Sequence, residues 1–309
     1  MVTPIQIKKA TSDFKYFCEK YLNNFVPRQD QLDWILSSGK RKLIRAGRRY
    51  GKTKTIAAYL IWNCVKRYNI KTAVYGPGWD EVLVFINLVE DLLEGTELYD
   101  SLKTDQKHYK QFTNGSEIFG RVAAETSTGK RGRGYHIVVF TEAAYIIDRA
   151  MASTLPTTLD YGAEVIYEST PLGHNHFYYA SMSSHFKSFH YTTYDNPMID
   201  KKDIEILKNT MSNAEFSQEI MAEYLDDKYN AIPRELIEKA IDSNIELINQ
   251  GNKDIVYYAG IDLGRKRDNS VIIIGHKVNE NIYIDYIKAF EISKLDSTFW
   301  NRVIEHITF

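Results

Sequence analysis

A loop near residue 50 contains the residues best suited to bind and cleave a phosphate chain. Four residues separate Ala46, which stands where the phosphate-loop pattern has its first glycine, from Gly51-Lys52-Thr53. Backbone N–H groups at a helix start attract phosphate, the Lys52 ammonium reaches the β- and γ-phosphates, and the Thr53 hydroxyl is placed for Mg²⁺. The sequence therefore predicts an ATP and Mg²⁺ site formed by Ala46, Gly47, Arg48, Arg49, Tyr50, Gly51, Lys52 and Thr53.

The segments on either side of this loop support the interpretation. Residues 42–44 are a short apolar and basic run typical of a strand, and residues 56–62 form an apolar helix pattern. A strand, a glycine loop and a helix are the context in which the pattern has its chemical meaning. A basic turn that contains Gly-Lys-Thr by chance is disfavoured for this reason.

A second chemical residue follows a continuous apolar run. Residues 136–140 are typical of a buried parallel strand, and Glu142 stands just beyond it. There a carboxylate can polarise water against the γ-phosphate, so we predict Glu142 as the general base; the alternative is a glutamate at a solvated strand end. The usual arrangement has an aspartate for Mg²⁺ directly before that glutamate. Here Thr141 occupies the position, and its hydroxyl can bond a metal-bound water without adding negative charge.

Three polar residues are predicted to complete the contacts with nucleotide. Ser169 and Thr170 end another apolar strand and are placed to sense the γ-phosphate, although a simple turn before Pro171 is an equal alternative. Gln29, upstream of the loop, can read the adenine edge through its amide, which both donates and accepts hydrogen bonds. A solvated glutamine at a helix start is the alternative.

Arginines near the site are candidates for stabilising transition-state charge. Arg131 and Arg133 lie in a basic, glycine-rich loop at 126–134, close in sequence to Glu142, and would act in their own subunit or in a neighbour. A basic loop that contacts DNA or solvent is equally compatible. Arg48, inside the phosphate loop, would act in its own subunit.

The elements that position these residues alternate along the chain. Helix patterns at 11–24, 31–36 and 79–94 and strand patterns at 71–78, 136–140 and 164–171 predict an α/β fold, a P-loop NTPase with a doubly wound, mostly parallel sheet. Residues 112–119 have the apolar, Asn-Gly, apolar order of a β-hairpin. A new strand pattern begins at residue 255.

Composition narrows the class of protein. The 309 residues are 44% hydrophobic and 26% charged, with a net charge of −1. These values predict a packed globular protein, and nucleic-acid binding would depend on local charge. The two cysteines, Cys18 and Cys64, are expected to be buried thiols. Without a signal segment or an apolar run near ~20 residues, we expect a soluble intracellular protein with no membrane contact.

Taken together, the motifs resemble the large terminase subunit of tailed double-stranded DNA viruses, and the matches are ordered along nearly the whole chain. They are Pro27-Arg28-Gln29 for the adenine motif, Arg48-Arg49-Tyr50-Gly51-Lys52-Thr53 for the phosphate loop, Arg131 for the trans-acting arginine, Val138-Val139-Phe140-Thr141-Glu142-Ala143-Ala144 for the acidic strand, Ser169-Thr170-Pro171 for the coupling motif, Asp195-Asn196-Pro197 for the end of the ATPase domain, and Glu219 with Ala222-Glu223-Tyr224 for the following helix.

The resemblance implies three regions: a P-loop ATPase domain at 1–200, a helical linker at 201–253 and the start of an RNase H-like nuclease at 254–309. In such nucleases, carboxylates hold two metal ions for DNA cleavage. The family's first carboxylate motif matches Gly260-Ile261-Asp262-Leu263-Gly264, which makes Asp262 an expected metal ligand. Asp268 and Asp285 are weaker candidates. The family's later carboxylates are absent before Phe309, so we expect this chain alone not to cut DNA; a fragment, a split gene and a decayed prophage copy are all compatible.

The resemblance also implies a function. It predicts an ATP-driven motor that moves viral double-stranded DNA into the procapsid, in the cytoplasm of the infected host cell. The implied partners are the portal protein, the small terminase subunit and further copies of the chain in a ring on the portal. The alternatives are an inactive prophage remnant that binds ATP or DNA without turnover and a helicase-like ATPase; the latter needs a second motor domain, for which residues 255–309 are too short. A small-molecule kinase is disfavoured by the segment around Asp262.

Overall fold

The computed structural model describes residues 9–123, 134–159, 161–225, 236, 239–241, 251–262 and 270–290. The chain divides into two compact units, Met1–Pro233 and Arg234–Phe309. The division lies well beyond residue 200, and the first helices of the predicted linker belong to the first unit. Among the described residues, no helix is long and apolar enough to cross a membrane.

An eight-stranded sheet forms the centre of the first unit. Its strands are β1 (Arg41–Ala46), β2 (Lys71–Gly76), β3 (Leu102–Gln106), β4 (Tyr109–Phe112), β5 (Glu117–Val122), β6 (Ile137–Thr141), β7 (Glu164–Ser169) and β8 (Lys187–Tyr191). The spatial order is β3-β4-β5-β2-β6-β7-β1-β8. All pairs from β5 to β8 are parallel, and β3 and β4 add an antiparallel edge. The mostly parallel sheet and the hairpin at 112–119 are therefore as predicted.

Helices cover this sheet. They are α1 (Phe14–Tyr21), α2 (Gln29–Ile35), α3 (Lys52–Lys66), α4 (Trp79–Leu93), α5 (Asp148–Thr154), α6 (His176–Met182), α7 (Lys201–Thr210) and α8 (Asn213–Glu219). Of these, α3 is the most deeply packed, with an unbroken buried run from Thr55 to Cys64. Both cysteines are free and buried, as expected.

The register of the central strands determines which residues meet at their carboxyl ends. On β6 and β7, Thr141 pairs with Glu168, and on β1 and β7, Arg45 pairs with Ser169. Because parallel strands end at the same edge of a sheet, β1, β6 and β7 deliver their last residues to one place. The phosphate loop begins directly after β1, so these residues lie beside it.

The second unit contains an antiparallel meander of three strands, as the sequence indicated. The strands are β9 (Tyr257–Asp262), β10 (Ser270–Val278) and β11 (Asn281–Phe290), with β10 in the middle.

Candidate functional site

The phosphate loop connects the buried end of β1 to the start of α3. Ala46 is the last residue of β1, and α3 begins at Lys52. Between them, Gly51 adopts a left-handed conformation with φ of 98°, which glycine adopts without steric cost. The first N–H groups of an α-helix have no acceptor within the helix, so those of Lys52 and Thr53 are available to an anion in the loop.

The Lys52 ammonium lies between two carboxylates that come from neighbouring strands. Its Nζ is 3.5 Å from Oε1 of Glu142 and 3.7 Å from Oε2 of Glu168. Burial alone would lower the pKa of Lys52, but the two carboxylates outweigh it and raise that pKa above its ordinary value. The lysine is therefore charged and already held at the loop, where it can meet phosphate.

Glu142 has both an unusual backbone and a defined side-chain partner. Its φ is 45°, a left-handed conformation that is uncommon outside glycine and that often occurs at functional sites. The Ser169 hydroxyl donates to Glu142 Oε2 at 3.1 Å. The structure thus brings Lys52, Glu142 and Ser169 together and orients the glutamate from the end of β7.

Glu168 is a site residue that the sequence analysis missed. Its side chain is fully buried, and its Oε1 accepts hydrogen bonds from the Thr141 hydroxyl at 2.5 Å and the Thr53 hydroxyl at 3.2 Å. Burial raises the pKa of Glu168, and Lys52 offsets part of that effect. The signal in the sequence was a charged residue near the end of an otherwise apolar strand pattern; its position opposite Thr141 follows only from the register of β6 and β7.

The described donors match what Mg²⁺ accepts in nucleotide sites, where one or two carboxylates act with substrate phosphates and waters. The Thr53 and Thr141 hydroxyls and Glu168 supply oxygen atoms, and Glu168 Oε2 is buried without a hydrogen-bond partner among the described residues. The described residues contain no cluster of three or more His, Cys, Asp or Glu side chains able to hold a metal by themselves.

On the outer side of the loop, Arg48 contacts α8 and not the carboxylates above. Its guanidinium donates to Glu219 at the end of α8. Glu219 also accepts from the Tyr145 hydroxyl at 3.3 Å, and that hydroxyl is 3.4 Å from the Thr170 hydroxyl. Thr170 is thus connected to Arg48 through two intermediate side chains, while neighbouring Ser169 contacts Glu142.

The end of β8, the segment after it and the end of α8 pack against the start of the loop. The Gly47 N–H donates to Tyr191 O at 3.1 Å, and the Arg48 N–H donates to Glu219 O at 2.8 Å. A Cβ at Gly47 would lie 2.3 Å from Ile220 O, so only glycine fits. Arg49 has φ of 64°, and its carbonyl accepts from Asn196 at 2.7 Å. No local sequence pattern predicted these contacts with the loop.

Tyr50 anchors the loop to the N-terminal helices. The Tyr50 hydroxyl donates to Asp30 Oδ2 at 2.7 Å, and its ring stacks on that of Tyr191 with centroids 4.7 Å apart. Arg28 donates both to Asp30 and to the Tyr50 carbonyl. Tyr50 is fully buried, so its side chain holds the loop in place and is not available to a ligand.

Gln29, which was predicted to bind the adenine edge, hydrogen-bonds within its own helix in this structure. The exposed Gln29 donates its amide to Asp33 at 2.7 Å, within α2. Gln31 is the buried glutamine beside the loop, with its Oε1 accepting from the Arg28 N–H at 3.0 Å and its Nε2 3.5 Å from Gly51 O. The role of Gln29 stays a prediction.

Arg131, Arg133 and Asp268 lie outside the described residues, so their roles stay predictions.

Two candidate metal ligands lie on the meander of the second unit. Asp262 is exposed at the end of β9, opposite Val271 on β10. Asp285 on β11 lies 2.6 Å from His276 Nδ1, which gives that carboxylate a partner. The metal-binding role of Asp262 stays a prediction.

Comparisons with known structures agree with this fold. The large terminase ATPase domain of Thermus phage P74-26 matches with a TM-score of 0.57 and 21% identity, over 65% of this chain and 95% of that one. A second large terminase, from a thermophilic bacteriophage and in complex with ADP, matches with a TM-score of 0.54 and 14% identity, over 90% of this chain and 73% of that one. At these identities the likeness establishes the fold.

Sequence relatives establish the family. The large terminase subunit of Escherichia phage T5 is 26% identical over 251 residues, which cover 76% of this chain. The alignment covers 56% of the T5 protein, so this chain spans little more than half of that relative's length. The family model for the N-terminal part of the T4-like-virus type of terminase large subunit matches residues 43–239, which is more than half of the chain. The chain therefore belongs to the terminase large subunit family.

Proposed function

We propose that the first unit is an ATP-hydrolysing motor that moves viral double-stranded DNA into a procapsid. The observation that carries this proposal is the meeting of Lys52, Glu142 and Ser169 at the phosphate loop, with Nζ to Oε1 at 3.5 Å and Oγ to Oε2 at 3.1 Å. A phosphate-binding lysine, a carboxylate base and a residue that orients the base are the groups that nucleotide hydrolysis requires. The ADP complex of the second structural relative supports the choice of nucleotide.

Each residue has a distinct task in this proposal. The loop N–H groups and Lys52 hold the phosphate chain, Glu142 orients water and accepts its proton, and Ser169 fixes the direction of the Glu142 carboxylate. Bound Mg²⁺ would neutralise charge on the β- and γ-phosphates. The Thr53 and Thr141 hydroxyls lie on the side of the site where such an ion would be held.

Movement of DNA requires that a change in the bound nucleotide changes the position of a DNA-binding surface. Ser169 and Thr170 are adjacent, yet one contacts the base Glu142 and the other contacts Tyr145, which leads to Glu219 and Arg48. A change at the γ-phosphate can therefore pass to α8 by a short route. DNA would be held through its phosphates, which predicts strong salt dependence. The portal protein, the small subunit and other copies of the chain are the proposed partners.

The test is ATP turnover by the full chain with and without double-stranded DNA. Lys52→Ala should weaken nucleotide binding and abolish turnover, whereas Glu142→Gln should retain binding and lower kcat by about 10²- to 10⁴-fold. Lys54→Ala, two residues further along the same helix, with an ammonium that donates to the Asn24 carbonyl, is the matched control. Wild-type turnover in both site variants would contradict the site, and a wild-type chain that binds ATP without turnover would favour the inactive-remnant alternative.

A further inference from the structure

Glu168 stands where the site lacks a negative charge. Thr141 occupies the position before the base Glu142, and its hydroxyl brings no charge to a cation. The β6–β7 register places Glu168 opposite Thr141, and the Thr141 hydroxyl donates to Glu168 Oε1 at 2.5 Å. The carboxylate that β6 does not provide is therefore present one strand away, at the same level of the sheet.

The partners of Glu168 indicate which ligand it would face. Its Oε1 also accepts from the Thr53 hydroxyl at 3.2 Å, and Thr53 is the loop residue that a nucleotide-bound metal ion contacts in phosphate-loop enzymes. Its second oxygen, Oε2, is buried without a hydrogen-bond partner among the described residues, and Lys52 Nζ is 3.7 Å away. A fully buried carboxylate with an unused oxygen beside the phosphate loop is suited to a cation.

We propose that Glu168 supplies the carboxylate toward the divalent cation of the bound nucleotide, in place of the acid that Thr141 lacks. This inference rests on the proposed nucleotide function. Glu142 is less suited to the task because Ser169 orients it and its side chain is 30% exposed, compared with 0% for Glu168. Thr141 and Glu168 together then replace the usual aspartate. The Thr141 hydroxyl on β6 orients the carboxylate that Glu168 supplies from β7.

A purely structural role makes a different prediction. If Glu168 serves only to balance the Lys52 charge, its replacement by glutamine changes nucleotide affinity equally with and without a divalent cation. If it acts toward the cation, only the contribution of the cation falls. Measurement of nucleotide binding in Mg²⁺ and in EDTA separates the two without any use of turnover.

The experiment is calorimetric titration of the full chain with a non-hydrolysable ATP analogue, in Mg²⁺ and in EDTA. We expect Mg²⁺ to tighten binding to the wild type, and Glu168→Gln to reduce that enhancement by about 10- to 100-fold while affinity in EDTA stays within about twofold. Glu117→Gln is the matched control. Glu117 is also buried, but it is the first residue of β5 and so lies at the opposite end of the parallel strands from the phosphate loop. It should keep the wild-type enhancement.

A second variant protects the test against loss of fold. Thr141→Asp combined with Glu168→Gln returns the carboxylate to β6 and should recover most of the Mg²⁺ enhancement; thermal melting confirms that each variant is folded. The proposal is overturned if Glu168→Gln keeps the wild-type Mg²⁺ enhancement. It is also overturned if the folded double variant shows no larger Mg²⁺ enhancement than Glu168→Gln alone. A wild-type chain that binds no nucleotide in either buffer overturns the proposed function itself, which distinguishes the two failures.

Discussion

The Arg48 guanidinium is paired with the Glu219 carboxylate, so the arginine of the phosphate loop is bound to helix α8. The Arg48 side chain is 68% exposed and the Glu219 side chain 14% exposed. An ion pair with one exposed partner is worth little, about 0.2–1 kcal/mol, and is readily exchanged. Arg48 can therefore leave Glu219 for the γ-phosphate at small cost, which makes Glu219 a competitor for the arginine predicted to act in its own subunit.

Release of this arginine gives the first prediction. Glu219→Gln should raise basal ATP turnover by roughly 1.5- to 5-fold, the range that corresponds to the loss of an exposed ion pair. Arg48→Ala should lower turnover in both the wild type and the Glu219→Gln background. Glu223→Gln, which removes an exposed carboxylate four residues further on, is the control. Unchanged turnover in Glu219→Gln, or the same increase in the double variant, would remove Glu219 as a competitor.

The orientation of the base by Ser169 gives the second prediction. Ser169→Ala removes the hydroxyl that donates to Glu142 Oε2. We expect kcat to fall by about 10- to 100-fold with little change in KM for ATP, because the base is displaced while the phosphate contacts remain. Ser169→Thr, which restores a hydroxyl, should recover activity, and Ser188→Ala on β8 should have no effect. A change confined to KM would argue against this role.

Tyr145 gives the third prediction, because its hydroxyl joins Thr170 to Glu219. Tyr145→Phe keeps the ring and removes both contacts. Basal turnover should stay within about twofold of wild type, since neither hydrogen bond involves the phosphate loop or Glu142 directly, whereas stimulation by DNA should fall. Turnover with and without DNA measures both quantities, and Tyr179→Phe on α6 serves as the control. Full stimulation in Tyr145→Phe would contradict this route.

Local patterns in the sequence predicted much of the site, and tertiary register supplied the rest. The loop, the acidic strand end and Ser169 could be predicted because each depends on a short segment with its own signature. Glu168 could not, because its role comes from the register between β6 and β7, which no segment specifies alone. The contacts of Glu219 and Gln31 with the loop were not predicted for the same reason. A helix far along the chain and a buried amide reach the loop only after the chain has folded.

The fit of the chain around Gly47 gives the fourth prediction. A Cβ there would lie 2.3 Å from Ile220 O and 2.7 Å from the Thr193 N atom. Since both are backbone atoms, Gly47→Ala should displace the segments that directly follow β8 and α8 and destabilise the chain by about 1–3 kcal/mol. Gly260→Ala, where nothing lies within 4 Å of the new carbon, is the matched control. Urea denaturation gives the free energy of unfolding of both variants. Equal losses of stability would show that the chain around Gly47 adjusts to the new methyl group without cost.

The last prediction concerns the pH dependence of the contribution that Asp30, the hydrogen-bond partner of Tyr50, makes to stability. Burial by itself would raise the pKa of Asp30, but hydrogen bonds from Arg28 and Tyr50 outweigh it and hold that pKa below its ordinary value. A carboxyl whose pKa is lowered on folding stabilises the fold above its unfolded pKa, and that contribution is lost as the pH falls through the folded pKa. Asp30→Asn should therefore cost about 1–2 kcal/mol at pH 7 and progressively less in acid. Urea denaturation between pH 7 and pH 3, with the exposed Asp33→Asn on the same helix as control, measures the difference. A cost that is independent of pH would show that Asp30 stabilises the loop by shape and not by charge.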